Sequence, residues 1–274
     1  TMAGWGREGE FRNRGSYGPQ CEALIGAASV MGYPDRGPHM AGMAWPDPGA
    51  GLHAAGLALA TVWARLETGR GQAIESAQVE ATATFLGPEY VQAQVAGQPP
   101  RVGNRHDDFA PHGVYRAAGA DRWVAIAVTE DVEWRALCAT IGRADLDRPE
   151  LSTSLGRRAA HDAIDEAIME WSCLRSPHTA MHVLQAAGVP AFAVYDTRDL
   201  VDDPATWDAG VLRVIGGEVL PGQFMRLSRT PAAVYRETAK MGEHNAEVLR
   251  EAGLTDAEID GLAAADVIRT SPAL

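Results

Sequence analysis

Cysteine is scarce in this 274-residue chain, and the three present, Cys21, Cys138 and Cys173, lie far apart with no CxxC pair. That excludes a zinc ribbon or a redox dithiol, and an odd count without a framework fits a reducing cytoplasm. Positive charge is also in deficit: 24 Lys and Arg face 36 Asp and Glu, a formal net charge of −12. Affinity for phosphate backbones comes mainly from clustered Lys and Arg, so no nucleic-acid partner is expected. A small anionic ligand needs only a local basic pocket. Long apolar runs are missing as well, so no membrane span is expected. The best candidate, from Gly49 to Leu66, contains His53 and Arg65 and is rich in Ala and Gly. It reads as a buried core helix. The opening "TMAGWGREGEFRNRG" lacks the basic-then-apolar order of a signal peptide, and the expected location is cytoplasmic. No internal repeat and no low-complexity tract is present. What remains, 22% charged and 46% hydrophobic residues, is the ordinary make-up of a folded chain. The length suits one large domain or two small ones.

Along the chain, helices and strands alternate loosely. "TMAGWG" looks like the tail of a strand, with no complete βαβ unit after it, and Gly4, Gly6, Gly9 and Gly15 make a glycine-rich loop. "PQCEALIGAASVMG" (19–32) predicts a helix, and "YPDRGPH" (33–39) is turn chemistry. A long helix follows Asp47 and stops at "ETGRGQ", with Gly69 past its end. "QAIESAQ" (72–78) alternates like a short strand. Residues 76–97 read as helix, broken or kinked at Pro88. A polar loop, "GQPPRVGNRHDDFAP", leads into two strands around "AAGAD" (113–128). Helices over 131–142, "AAHDAIDEAIMEWSCL" and "SPHTAMHVLQAAG" come next, the last with Ser176 as cap and Pro177 at its first position. "VPAFAVY" (189–195) is a strand, and two helices, "EHNAEVLREAG" and "TDAEIDGLAAADV", close the chain.

Asp47 is the residue to weigh. Asp followed by Pro is a helix-start signal, with Asp as N-cap and Pro at N1. The same place suits chemistry. The positive end of a helix dipole favours a carboxylate, a carboxylate can serve as a nucleophile, and the following "PGAG" leaves room for close approach. Cap and nucleophile are compatible. Tyr17 reads as core or wall. His106, Asp107, Asp108 and His112 are a ligand-rich cluster without the spacing of a tetrahedral site, so no metal is assigned and the segment reads as a solvated loop. His53 reads as a satisfied helix residue, and Glu80 as a capping-box partner of Ser76.

Taken together, "WPDPGAGLHAAGLALATVWARLETGRGQAIESAQVEA" resembles the class III CoA-transferase family, which includes formyl-CoA and carnitine CoA-transferases. The matching elements are Asp47, Gly51, Thr68-Gly69, Gly71-Gln72, Ser76 and Glu80-Ala81. "AGWGREGEFRNRGSYG" is similar to the family's "GxGxxGP" loop, with Glu10 where Pro is usual. "GNRHDDFAPHGVYRAAGADRWVAIAV", "GVPAFAV", "DLVDDP" and "GEHNAEVL" match further segments in order. Where formyl-CoA transferase has a run of glycines, this chain has "DDFAPHG".

The resemblance implies an α/β fold with α+β character here: a small β-containing domain plus long helices, in an interlocked dimer. It implies the end of the CoA-binding domain over 1–99, a small α/β domain over 100–235, and C-terminal helices over 236–274. It also implies an acyl-CoA:carboxylate CoA-transferase working through an aspartyl-CoA thioester on Asp47. Tyr17, Gly49, Gly51, Gly103 and Asn104 would line the site. Coenzyme A enters as a thioester substrate, with no permanently bound cofactor. The partners are acyl-CoA, a small carboxylate, and a second chain in a homodimer or heteromer. Relatives on the same fold that racemise CoA esters carry a catalytic His where this chain has Tyr17. A phenol, with an ordinary pKa of about 10, is a poor base near neutrality, which favours transfer. A non-catalytic subunit is the remaining alternative. Family members begin with a Rossmann-like half that has no counterpart here. A truncated product, a partner subunit supplying that half, and an incompletely represented chain all fit.

Overall fold

The computed structural model describes residues 1–223, 225–232 and 237–270. The chain divides into two compact units, 1–194 and 195–274. The cut falls inside the span expected as one small domain, 100–235, whose last residue lies outside the described ones.

The first unit opens with β1 (Met2–Ala3), α1 (Gly18–Leu24), α2 (Ala27–Val30), α3 (Pro46–Thr68) and β2 (Ser76–Ala77). β1 pairs with β2 in parallel, Met2 opposite Ser76 and Ala3 opposite Ala77. A minimal strand–helix–strand crossover is therefore present, contrary to the expectation that the N-terminus lacks one. Two-residue strands are too short to show a period-two pattern. The single helix expected over 19–32 is split, because Gly26 takes φ 89° between α1 and α2. The strand expected over 72–78 shrinks to β2.

Next come α4 (Gln78–Ala83) and α5 (Gly87–Val95), separated by a 3₁₀ turn over Thr84–Leu86. Pro88 stands in the first turn of α5, where its missing N–H costs nothing. Ala77, not Ser76, precedes α4, and no side chain caps it. The expected capping box between Ser76 and Glu80 is absent because Ser76 is engaged in β2.

β3 (His112–Arg116), β4 (Trp123–Ala127), α6 (Asp131–Ile141), α7 (Ser154–Ala159), α8 (His161–Ser172), α9 (Pro177–Ala186) and β5 (Ala191–Ala193) complete the unit. The sheet order is β3-β4-β5, antiparallel throughout, with Val114 opposite Ala125 and Ala125 opposite Phe192. Alternate residues Tyr115, Val124 and Ile126 point into a core shared with Trp134, Leu137, Ile164, Ile168 and Leu184 from the helices. The other face of the sheet, with Val114 and Phe192, is exposed.

The second unit holds α10 (Thr197–Asp202), α11 (Pro204–Asp208), β6 (Leu212–Ile215), β7 (Glu218–Pro221), α12 (Asn245–Glu251) and α13 (Asp256–Ala264). β6 and β7 form a hairpin whose Gly216 and Gly217 both have positive φ, as a type I′ turn requires.

The largest departure from expectation is α3. Only Pro46 and Ala50 are buried along its length. Leu52 is 74% exposed and Leu66 77%. The helix packs one side on α4, α1 and the short strands. Its apolar residues run all the way round, so the rest face outward and α3 is not a core helix here. Among the described residues no helix is long and apolar enough to cross a membrane.

Candidate functional site

The sequence leading into α3 carries two prolines, and the first sets the helix start. Pro46 takes N1, Trp45 precedes it at the cap position, and Asp47 lies within the first turn. Asp47 is therefore not the expected cap but stands two residues past it. A fixed φ near −65° makes Pro46 a ready N1 residue, which pulls the start forward. The Asp47 amide donates to the Ala44 carbonyl at 3.0 Å, and the Gly49 amide to that of Trp45 at 3.1 Å. Asp47 keeps the favourable interaction of a carboxylate with a helix N-terminus, and it is exposed.

α1 packs on α3 and brings Gly18 directly under Asp47. A Cβ placed on Gly18 would sit 2.5 Å from Asp47 Oδ2 and 3.0 Å from Ala44 Cα. Tyr17, the residue before Gly18, heads α1 and is 74% exposed. Its position is an open rim, not the core. Gln20 closes α1's first turn by accepting from the Tyr17 amide at 3.1 Å. Below, Cys21 is buried, with Sγ 3.5 Å from Gln78 Oε1. Burial pushes the Cys21 thiol up, and the nearby Asp47 carboxylate pushes it further.

Gly49 rests on the ring of Phe85: a Cβ there would lie 3.1 Å from Phe85 Cε2. Trp45 and His53 meet the same ring edge-on, with centroids 5.7 and 5.8 Å away. His53 Nδ1–H donates to the Gly49 carbonyl at 2.9 Å, so His53 is a satisfied helix residue. Gly51 faces open space. Asp47, Gly49, Gly51 and Tyr17 thus gather around the start of α3.

Gly103 and Asn104 lie in a separate place. Gly103, at φ +64°, lies so close to Tyr33 that a Cβ would come within 2.6 Å of the ring. Its amide donates to the Gly32 carbonyl at 2.8 Å. Asn104 Nδ2 donates to Tyr33 Oη at 2.9 Å, and the Asn104 carbonyl accepts from His112 Nδ1–H at 2.6 Å. Asn104 borders two cavities, of about 620 and 300 Å³, and neither includes Asp47 or Tyr17. His106 stacks on Phe109 at 4.7 Å and lies 5.5 Å from His112. Among the described residues no His, Cys, Asp and Glu side chains gather closely enough to hold a metal.

Several residues were invisible to sequence reasoning. Glu22 is fully buried and accepts from the Ala41 amide at 2.6 Å, in the stretch leading to Asp47. Arg105 bonds both Asp162 and Asp165. Arg157, also fully buried, donates to the Ala110 carbonyl at 2.6 Å and pairs with Asp131. For Glu22 and Arg157 the local signal was a charged residue inside a helix, and Arg105 in its polar loop gave none.

Comparison with known proteins follows the same lines. The family model for CoA-transferase family III matches residues 1–245. The succinate–glutarate CoA-transferase of Agrobacterium fabrum is 27% identical over 92% of this chain and 64% of its own length. The formyl-CoA:oxalate CoA-transferase of Streptomyces avermitilis is 28% identical, over 94% of this chain and 68% of its own. The chain thus spans about two thirds of the length of these curated relatives. A crystal structure of a CAIB/BAIF family protein from Brucella suis superposes with a TM-score of 0.82 at 24% identity, covering 91% of this chain and 66% of that one. With a family model over most of its length and the matching fold beneath it, the chain belongs to CoA-transferase family III.

Proposed function

We propose that this chain serves an acyl-CoA:carboxylate CoA-transferase, with Asp47 as the nucleophile. The supporting observation is the Asp47 carboxylate itself, exposed in the first turn of α3 above a glycine that leaves it room. An Asp47 oxygen attacks the thioester carbonyl of the donor and CoA thiolate leaves, giving a mixed anhydride. The thiolate then attacks the Asp47 carbonyl of that anhydride. The donor acid departs as a carboxylate, and an aspartyl-CoA thioester remains. The acceptor carboxylate attacks this thioester and releases CoA thiolate again. The thiolate attacks the acceptor carbonyl, and the acceptor leaves as its CoA ester with Asp47 restored. One hard exchange becomes several easier ones, each with a thiolate or a carboxylate as leaving group.

On this reading Tyr17, Gly49 and Gly51 line the acyl side, and Gly103 and Asn104 approach from the small domain. The enzyme is cytoplasmic and acts as a dimer or heteromer, since the exposed apolar side of α3 calls for a covering surface.

Asp47→Asn and Asp47→Ala in the active enzyme test the assignment. Either should lower kcat by about a thousandfold or more. Stability should change by no more than about 1 kcal/mol, the scale of a carboxylate at a helix N-terminus. Near-normal turnover by the Asn variant refutes the nucleophile.

A further inference from the structure

The segment that carries Gly103 and Asn104 is held from two sides. On one side it lies on Tyr33, through the Gly103 backbone and the Asn104 amide. Arg101 adds a bond from Nη1 to the Ser29 carbonyl at 3.1 Å. On the other side Arg105, the next residue, reaches α8. Its Nη2 donates to Asp162, and to Asp165 Oδ2 at 3.1 Å. Asp165 is itself fixed: its Oδ1 accepts from Tyr115 Oη in β3 at 2.9 Å. Tyr115 is a core residue, so the carboxylate that receives Arg105 is tied into the most rigid part of the unit. His161 Nε2 lies 3.5 Å from the same Oδ1.

The electrostatics agree with this geometry. The bond to Asp162 raises the Arg105 guanidinium above its ordinary value and holds Asp162 below the usual carboxylate range. Isolated surface ion pairs contribute little. This one differs because one guanidinium meets two carboxylates, and Asp165 is only 22% exposed and already anchored.

We propose that Arg105 is a positioning residue for acyl-CoA: by bracing the 101–112 segment on Asp162 and Asp165 of α8, it holds Gly103 and Asn104 where the substrate meets them. The inference rests on the reading that Gly103 and Asn104 line the acyl-CoA site. Nothing in it requires Arg105 to touch substrate. One guanidinium nitrogen, Nη2, serves both carboxylates. Its effect is therefore on the substrate's fit and not on the covalent steps at Asp47.

Arg105→Gln, Arg105→Lys and Asp162→Asn in the active enzyme provide the test, with two independent readouts. Hydrogen exchange over 101–112 reports the brace without reference to activity. Steady-state kinetics report the consequence. For Arg105→Gln, exchange across the segment should speed up about tenfold or more, since both charge-assisted bonds are lost. KM for acyl-CoA should rise by a similar factor while kcat changes less than about threefold. Arg105→Lys should recover part of both effects, since it restores charge without the planar fork. Asp162 is 87% exposed, so its Asn variant keeps the fold and should give a smaller shift in the same direction. Unchanged exchange in both Arg105→Gln and Asp162→Asn overturns the brace. Faster exchange with KM unchanged overturns the placement of Gly103 and Asn104 at the substrate. No recovery of either readout in Arg105→Lys, with kcat falling as much as kcat/KM, overturns positioning in favour of direct contact.

Discussion

At the scale of single residues, Gly18 explains why Asp47 can stand where it does. The nominal Cβ position on Gly18 is 2.5 Å from a carboxylate oxygen and 3.0 Å from Ala44 Cα and Cβ. Its φ is not left-handed, so the constraint is room and not backbone strain. Alanine is also the better helix former, by up to about 1 kcal/mol. Crowding in a packed place costs about 1–3 kcal/mol. The two oppose each other, so Gly18→Ala should change stability by only about 1 kcal/mol. Activity should respond more, because displacing a reacting atom by about 1 Å can cost a hundredfold. Turnover and thermal unfolding measured on the same sample separate the two. A Gly18→Ala enzyme with full turnover would show that the carboxylate reacts from another rotamer.

Among the elements, α8 shows how one helix serves two purposes. Ile164 and Ile168 face the core, while His161, Asp162 and Asp165 bear on the segment beside β3. His161 is buried, and burial lowers its pKa from the ordinary 6.5, outweighing the opposite pull of Asp165. Arg105 and His112 push the same way as burial, and Asp162 opposes it. The sign follows from proton uptake. The unfolded chain takes its proton first, so stability is fully present above about pH 6.5 and is lost as pH falls toward the lower folded value. Melting temperature should decline on acidification from pH 7 to 5, and His161→Gln should flatten that decline. Asp162, held low by Arg105, contributes stability that is lost only at more acid pH, below its ordinary value of 3.8. The two windows are distinct. An identical pH slope in His161→Gln and wild type would remove His161 from the account.

For the molecule as a whole, the exposed side of α3 dominates. Leu59, Val62 and Trp63 are exposed along it together with Leu52 and Leu66. Contiguous apolar surface beyond a few hundred Å² is uncommon on soluble monomers, and its burial is worth roughly 25 cal/mol per Å². The 274-residue chain should therefore associate. Sedimentation velocity at rising concentration should show species heavier than a monomer, and replacing Leu59 and Trp63 by Glu should shift them toward the monomer. A wild-type chain that remains monomeric throughout would assign this surface no partner.

The sequence alone determined whatever depends on neighbours along the chain. Ser176 caps α9 with its hydroxyl accepting from the Thr179 amide, Pro177 follows at N1, and Gly69 ends α3 at φ 72°. The β3–β4 hairpin and the strand at β5 follow from turn residues and alternation within a few positions. Asp47 was legible as a residue of interest for the same reason, and the ordered family motifs added its proposed role. Even local rules failed where two signals competed, as when Pro46 and Pro48 both offered a helix start. Tertiary structure decided the rest. Gly18 under Asp47, Phe85 beneath Gly49, and Arg105 on Asp162 and Asp165 join residues far apart in the chain. No periodicity encodes such meetings. The exposure of α3 was equally out of reach, because hydrophobicity belongs to the residues of a helix but burial belongs to what packs against it.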